Sequence, residues 1–233
     1  MRIVQAGGWF PDPAQHSVEP EMVARAVAEV ADYQQRFERD PGRARVSLAG
    51  VPHALIPTAI VARDLPSALA KRDDSQAVAL VLHELGVLIG RTHATAFFED
   101  RGIDEDDRLH RVLTGPAHFA WAGFGDVNLL LMDTSWDVGF AALWESVSSF
   151  SAADAGSRVR SCHLQVGYAS GWLSEATGQT LHGTEIACRA EGAHRCRFVI
   201  GHESRIHALA QDPRMHKDRD RYDVLPIHAV RAD

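Results

Sequence analysis

The sequence is poor in cysteine and has no long apolar segment. Three cysteines among 233 residues, an odd and small number, argue against the disulfide framework of a secreted protein. The first residues lack the apolar core of a signal peptide, and no run approaches 18 uninterrupted apolar residues. These absences exclude a typical secreted or membrane-spanning chain and predict a soluble cytoplasmic protein.

Positive charge is also scarce. The chain has 24 lysines and arginines against 31 acidic residues, a net charge of -7, and no basic block. This balance argues against direct binding of nucleic acid. Neither a phosphate-binding loop nor the GxGxxG fingerprint of a dinucleotide site is present. His83 and His93 lie about 15 Å apart along one predicted helix, too far for a shared ion.

The apolar spacing predicts three helices in the first half of the chain. One opens at Ser17 and Pro20 and ends near 39–43, and a second runs from Pro57 to about Ala70. The clearest covers Ser75 to Asp100, with Ser75 as its cap and burial on more than one face. Small residues four apart in this helix predict close packing against another backbone or a dimer interface: Gly86, Gly90 and Ala94.

The second half alternates in the manner of strands. The segments "AHFAWAGF", "DVNLLLMD" and "VGFAALWESV" are separated by Gly, Asp and Ser, as in an antiparallel meander. A helix from Cys162 to Gly178 and a strand hairpin over 185–200 follow. The pattern predicts an α+β fold, with an antiparallel sheet packed against helices.

The predicted hairpin suggests a site for a metal ion. A turn at 191–193 places Cys188 opposite Cys196, with Cβ atoms about 4.5–5.5 Å apart. Both sulfurs could then reach one ion, and Glu185 and Cys162 could supply the remaining ligands. Buried free thiols or a disulfide are the alternatives, and the geometry alone leaves all three open.

The same residues carry a resemblance to a known family. Their intervals of 23, 3 and 8 residues, together with the segment "GYASGWL", resemble the 4-vinyl reductase domain family. Within it, the sensor domains of phenol- and xylene-responsive transcriptional activators are most similar. The resemblance implies a structural zinc ion (Zn²⁺) bound by four residues: Cys162, Glu185, Cys188 and Cys196. Such a closed site leaves no position for catalytic water, and no catalytic residue is predicted.

The resemblance also implies a ligand pocket, in which a histidine and a tryptophan hold a hydroxyl group. "ALWES" assigns the tryptophan to Trp144. In "GPAHFAW", His118 stands one residue before the expected position, which Phe119 occupies. On a strand this shift would turn the imidazole to the other face of the sheet.

Two small residues predict that the pocket is larger than in phenol sensors. Ala142 and Gly183 stand where those sensors carry aromatic side chains. We therefore expect an extended aromatic or other hydrocarbon ligand. The candidate walls, each of which could equally be ordinary core, are Phe119, Phe140, Trp144 and Tyr168.

The resemblance divides the chain into three parts. Residues 1–70 are a helical extension that is a candidate dimerisation segment, 71–210 form the zinc- and ligand-binding domain, and 211–233 are a charged tail. The implied function is a homodimeric sensor that signals to a partner or to an output domain. The alternative is an enzyme or accessory protein related to vinyl reduction, acting on a larger hydrophobic substrate.

Overall fold

The core of the protein is a five-stranded sheet. The computed structural model describes residues 2–4, 18–57, 59–71, 74–134, 136, 139–146 and 160–211. The strands of the sheet are β1 (Arg2–Val4), β5 (Val127–Asp133), β6 (Ala141–Ser146), β7 (Leu181–Ala187) and β8 (Cys196–His202), in the order β1-β5-β6-β8-β7. β1 pairs with β5 in parallel, and the other pairings are antiparallel. The predicted α+β fold is confirmed.

Helices cover the sheet, and a small second sheet lies in the N-terminal part. The helices are α1 (Pro20–Gln34), α2 (Leu65–Leu69), α3 (Ser75–Arg101), α4 (Arg108–Trp121), α5 (His163–Thr177) and α6 (Glu203–Gln211). The small antiparallel sheet contains β2 (Phe37–Asp40), β3 (Arg45–Leu48) and β4 (Val51–His53). Buried side chains of α1, α3, α4 and α5 form one core with one face of the large sheet.

Helices α3 and α5 cross with their backbones in contact. A Cβ atom on Gly86 would lie 2.2 Å from the carbonyl oxygen of Leu164, and one on Gly167 would lie 2.1 Å from that of His83. The glycine stripes of the two helices therefore pack against each other within the chain. Of the two alternatives predicted for the α3 stripe, close packing against another backbone is the one that the structure shows.

Segment 117–124 was predicted as a strand, and this prediction is wrong. Residues 117–121 are the end of α4, and 122–124 form the turn that follows it. Asp107 caps the start of α4 by accepting a hydrogen bond from the backbone N–H of His110 at 3.4 Å. The helical spacing starts upstream, directly after the charged stretch at 101–108. Leu109, Val112 and Leu113 precede the buried Phe119 at helical intervals. Helical rather than alternating periodicity therefore governs this segment.

Three smaller expectations also differ from the structure. α1 ends at Gln34 and Phe37 lies in β2, while Asp74 rather than Ser75 caps α3, accepting from the backbone of Ala77 at 2.7 Å. α3 is buried along one stripe only, because large apolar side chains remain exposed on its other side: Leu80, Val81, Leu85 and Leu88. The predicted tail at 211–233 lies outside the described residues except for Gln211.

By length and composition, α3 meets the criteria for a membrane-spanning helix, although only 28% of its most apolar window is buried. A core helix can satisfy the same criteria, and the glycine stripe of α3 packs against α5. The expectation that the chain does not interact with a membrane therefore stays a prediction.

Candidate metal centre and ligand-binding site

Three elements, α5, β7 and β8, bring the four predicted metal ligands together. Cys162 precedes α5, Glu185 lies in β7, Cys188 follows β7 and Cys196 begins β8. One possible ligand atom from each residue lies within 4.8 Å of the others. All four residues are buried, and the most exposed of them is Glu185, at 6%. The cluster could therefore hold a metal ion.

A β-bulge aligns these ligands on one side of the hairpin. The pairing changes from Glu185 with Phe198 to Ala187 with Arg197, which leaves Ile186 as the extra residue. Regular alternation would point Glu185 and Cys188 to opposite faces, since they are three residues apart. The extra residue restores them to the same face. Extension of the pairing beyond Ala187 places Cys188 opposite Cys196, in the register predicted from the sequence.

The turn of the hairpin closes next to the cluster. Arg189–Glu191 form a single 3₁₀ turn, and Gly192 follows with φ = 96°, a conformation that favours glycine. The backbone N–H of Ala193 donates to the carbonyl of Cys188 at 3.1 Å. This tight turn holds Cys188 at the end of the hairpin where β7 enters the turn.

The donor set fits a tetrahedral, thiolate-rich metal site. The sulfurs of Cys162 and Cys196 are 3.5 Å apart, close to the roughly 3.8 Å expected for two thiolates bound to one zinc ion. The backbone N–H of Cys162 donates to Glu185 Oε2 at 3.3 Å, while Oε1 is buried with no hydrogen-bond partner among the described residues. Oε1 is therefore available as a ligand. The backbone N–H of Arg189 donates a hydrogen bond to the Cys196 sulfur at 3.4 Å.

Proton affinity at the cluster is high. Burial, followed by the charge of Cys188, raises the pKa of Glu185 to about 8. Hydrogen bonds with Cys188 and Cys196 raise the pKa of the Cys162 thiol, and burial adds to the effect. These groups thus resist ionisation until a positive charge lies among them, which a bound dication would provide.

A second polar cluster lies in the core between α3, α4 and α5. The Tyr168 hydroxyl lies 2.8 Å from His118 Nδ1 and 3.1 Å from His93 Nδ1. His118 is fully buried, and its ring centroid lies 4.5 Å from that of Trp172. The expected reversal of His118 on a strand does not occur, because a helix points this imidazole into the core.

Two predicted pocket residues, Phe119 and Trp144, lie beside this cluster. Phe119 contacts both Trp144 and Tyr168, with ring centroids 5.8 Å apart in each pair. Trp144 is fully buried in β6, and its Nε1 has no hydrogen-bond partner within the described part of the chain. His118 Nε2 is likewise buried without a hydrogen-bond partner among the described residues. Two unpartnered polar atoms therefore lie in an aromatic environment.

The remaining predicted pocket residues have other surroundings. Phe140 stacks on Trp136 with centroids 5.7 Å apart, and Ala142 is buried on the same face of β6 as Trp144. A Cβ atom on Gly183 would lie 2.3 Å from Ser170 Oγ. Gly183 therefore allows α5 to approach β7. The prediction of extra pocket space at this position is wrong, because side chains of α5 fill it.

Both histidines of the polar cluster remain neutral near pH 7. Burial lowers the pKa of His93 to about 4, with a smaller effect of nearby His53. Burial also lowers the pKa of His118 well below its usual range, with a further contribution from His93. A neutral imidazole has one N–H donor and one acceptor nitrogen. The cluster can therefore recognise polar groups without carrying charge.

A cavity of about 260 Å³ lies between α1 and α4. Trp121 is one of its lining residues, and the Trp121 ring centroid lies 5.2 Å from that of His118. The cavity thus ends one side chain away from the polar cluster. Its other lining residues are Val27, Val30, Ala31, Gln34, Pro116, Ala117, Ala120, Asp126 and Val127.

His93 and His53 were not predicted as site residues from the sequence. His93 lies one turn beyond Gly90 on the side of α3 that faces α5, so the glycine stripe could have indicated it. His53 belongs to the short strand β4, and its ring lies 5.2 Å from that of His93. A three-residue strand in a nonlocal contact leaves no comparable signal in the sequence.

Comparison with known proteins supports the predicted relationship. Residues 146–202 match the family model of the V4R domain, the 4-vinyl reductase domain. This match confirms the resemblance over the segment that contains the metal-centre hairpin. No curated protein matches the chain in sequence.

The fold is also that of a solved sensor domain. The chain is similar to the phenol-responsive sensory domain of the transcription activator PoxR, whose crystal structure contains phenol, with a TM-score of 0.68 and 17% identity. The alignment covers 82% of this chain and 96% of the PoxR domain. The two proteins share a fold, and the alignment includes nearly all of that sensor domain.

Proposed function

We propose that the protein is a ligand-binding sensor module that holds an aromatic or other hydrophobic molecule among α4, α5 and β6. The observation that carries this proposal is the pair of buried, unpartnered polar atoms, His118 Nε2 and Trp144 Nε1, within aromatic side chains. Leaving such an atom unsatisfied costs about 1–3 kcal/mol. A ligand with one polar group would remove this cost.

The chemistry of the walls favours an aromatic ligand. Phe119, Trp144 and Tyr168 offer ring faces and edges, and aromatic pairs gain about 0.5–1.5 kcal/mol beyond burial of area. The similarity to the PoxR domain supports this ligand class. A ligand larger than phenol is proposed because Ala142, on the same face of the sheet as Trp144, stands where the resemblance places an aromatic side chain in phenol sensors.

The metal is proposed to be zinc with a structural role. Cys162, Cys188 and Cys196 would bind it through sulfur and Glu185 through oxygen, because thiolate-rich tetrahedral sites favour zinc. When bound, the ion supplies positive charge and cross-links the start of α5 to the hairpin. The protein residues hold the hairpin against α5, and four protein ligands complete the coordination of such an ion.

The signal is proposed to pass to a partner or to an output domain. This follows from the implied role as a sensor, together with the absence of a predicted catalytic residue. A homodimer and a cytoplasmic location complete the proposal.

A thermal-shift series tests ligand binding. We expect 2-naphthol to raise the melting temperature of the full chain, and naphthalene to raise it less because it has no polar group. Trp144→Phe should weaken 2-naphthol binding about tenfold, the value of one hydrogen bond. Leu143→Val is the matched control, since Leu143 is equally buried but faces the opposite side of β6. Equal shifts with both compounds would contradict the polar anchor.

A further inference from the structure

The Tyr168 hydroxyl lies between two histidines that come from different helices. His118 Nδ1 of α4 is 2.8 Å away and His93 Nδ1 of α3 is 3.1 Å away. Both distances are within hydrogen-bond range. Tyr168 and His118 are fully buried, and His93 is largely buried, so water competes little for these bonds.

The proton count of this triad restricts the two imidazoles. A tyrosine hydroxyl has one proton, so it can donate to only one of the two Nδ1 atoms. To bond the second Nδ1, the hydroxyl must accept a proton from it. One histidine therefore carries its proton on Nδ1 and the other carries it on Nε2, provided that both are neutral. Burial lowers the pKa of both residues, which supports the neutral forms.

The outer nitrogens of the two histidines consequently have opposite character. When Tyr168 donates to His118, His118 Nε2 is a donor and His93 Nε2 is an acceptor. When Tyr168 donates to His93, both roles reverse. The two states interconvert when the hydroxyl passes its proton to His118 Nδ1 and takes the Nδ1 proton of His93. His118 Nε2 then releases its proton to a bound ligand or to water, and the less buried His93 takes one up from water at Nε2, so the net charge of the triad does not change.

We propose that His93, Tyr168 and His118 form a tautomeric relay, which lets His118 present either a donor or an acceptor to the ligand. The relay rests on the proposed function and extends it to a ligand class: hydrophobic compounds that carry a hydroxyl or a carbonyl group. A hydroxyl would donate to unprotonated Nε2, and a carbonyl would accept from protonated Nε2. His93 is a positioning residue in this scheme, since it acts through Tyr168.

His53 lies beside the relay without belonging to it. Its Nδ1 donates to the carbonyl of Val51 at 2.8 Å, which fixes the proton on Nδ1. The ring packs against His93 with centroids 5.2 Å apart. His53 thus covers the outer side of His93 and contributes to its neutral state.

Nitrogen NMR of the ligand-free full chain, labelled with ¹⁵N-histidine, tests the relay directly. His93→Gln and His118→Gln assign the signals. We expect the Nδ1-protonated fractions of His93 and His118 to sum to one, because each state protonates Nδ1 of only one of them. Tyr168→Phe should remove this relation. Two identical fixed tautomers in the wild-type chain would overturn the relay, whether or not any ligand binds.

Two probe ligands then test the class of compound. With 2-naphthol, His118 should shift toward the form protonated on Nδ1, and with 2-acetylnaphthalene toward the form protonated on Nε2. His93 should shift in the opposite direction each time, and Tyr168→Phe should break this coupling. A His118 tautomer that is the same with both bound probes would overturn the relay. Failure of both probes to bind would contradict the proposed function. The relay would still be tested by the histidine tautomers in the ligand-free chain.

Removal of His93 gives a specificity readout. Without His93, the buried Tyr168 hydroxyl proton keeps a partner only by donating to His118 Nδ1, which favours protonation of His118 on Nε2 and makes Nε2 a donor. His93→Phe should then weaken 2-naphthol binding about tenfold relative to 2-acetylnaphthalene. His93→Gln should restore the balance, since an amide can both donate and accept. An equal loss for both probes in His93→Phe would indicate a merely structural role and overturn the proposal.

Discussion

A carboxyl group that is buried beside three thiols has to keep its proton or gain a positive neighbour. Glu185 illustrates this choice, because burial raises its pKa to about 8. In the unfolded chain a glutamate titrates near 4.3. Folding without metal therefore binds a proton at neutral pH, whereas metal binding requires that the proton leave. Glu185 therefore favours the metal-free fold at low pH, where its carboxyl group is protonated. It favours metal binding at high pH, where the carboxyl group is ionised.

This difference predicts how stability depends on pH. The metal-free chain should lose stability as pH rises from 6.5 to 8, because a group with a raised folded-state pKa favours folding most at low pH. The slope from Glu185 is at most about 1.4 kcal/mol per pH unit. The zinc-loaded chain should show no such loss. Urea unfolding with and without chelator measures both slopes.

Two substitutions identify the source of the slope. Glu185→Gln should reduce it in the metal-free chain, because the amide does not titrate. Glu191→Gln is the control, since Glu191 pairs with Arg160 near the same hairpin at 2.8 Å but is not part of the metal cluster. A slope that survives Glu185→Gln unchanged would assign the proton to another group.

At the scale of elements, the crossing of α3 and α5 connects the two candidate sites. Cys162 of the candidate metal centre directly precedes α5, and Tyr168 lies in the second turn of that helix. α3 contributes His93, and its close approach depends on glycines in both helices. The candidate metal centre therefore lies at the start of the helix whose middle carries Tyr168 of the candidate ligand-binding site.

This crossing predicts the effect of adding one methyl group. Gly90→Ala would place Cβ 2.2 Å from the carbonyl oxygen of Tyr168, and overpacking of this kind costs about 1–3 kcal/mol. Arg91→Ala, at the exposed neighbouring position, should leave stability within about 0.5 kcal/mol. Chemical denaturation compares the two variants, and equal effects would contradict the tight crossing.

Local patterns predicted the elements that make local contacts. β6, α5 and the β7–β8 hairpin have clear periodicity and turn residues, and they carry the four predicted metal ligands. α4 was missed because its first turn is charged, so its apolar spacing was attributed to a strand. The parallel pairing of β1 with β5 and the contact of His53 with His93 join distant residues, which periodicity does not reveal.

At the scale of the whole molecule, the small-residue stripes do not supply a surface for association, because α3 and α5 cover each other. The exposed side of α3 presents four large apolar residues instead, with Leu80 and Leu88 at 60% and 63% exposure. A homodimer therefore stays a prediction, and its interface has to lie outside the glycine stripes.

Light scattering of the full chain after size exclusion checks this prediction. We expect the mass of a dimer for the wild type. Leu88→Lys should reduce the dimer fraction if the exposed side of α3 contributes to the interface. Arg91→Lys, one helical turn after Leu88 at another exposed position, keeps the charge and should not change the dimer fraction. A monomer at all concentrations would contradict the predicted homodimer.

For the molecule as a whole, we propose that one metal ion stabilises a module that binds one hydrophobic ligand. Native mass spectrometry of the full chain with 2-naphthol measures both at once. We predict one zinc ion and one 2-naphthol per chain, with loss of zinc in Cys196→Ser and retention of zinc in Trp144→Phe. A folded wild-type chain that carries neither metal nor ligand would contradict the account.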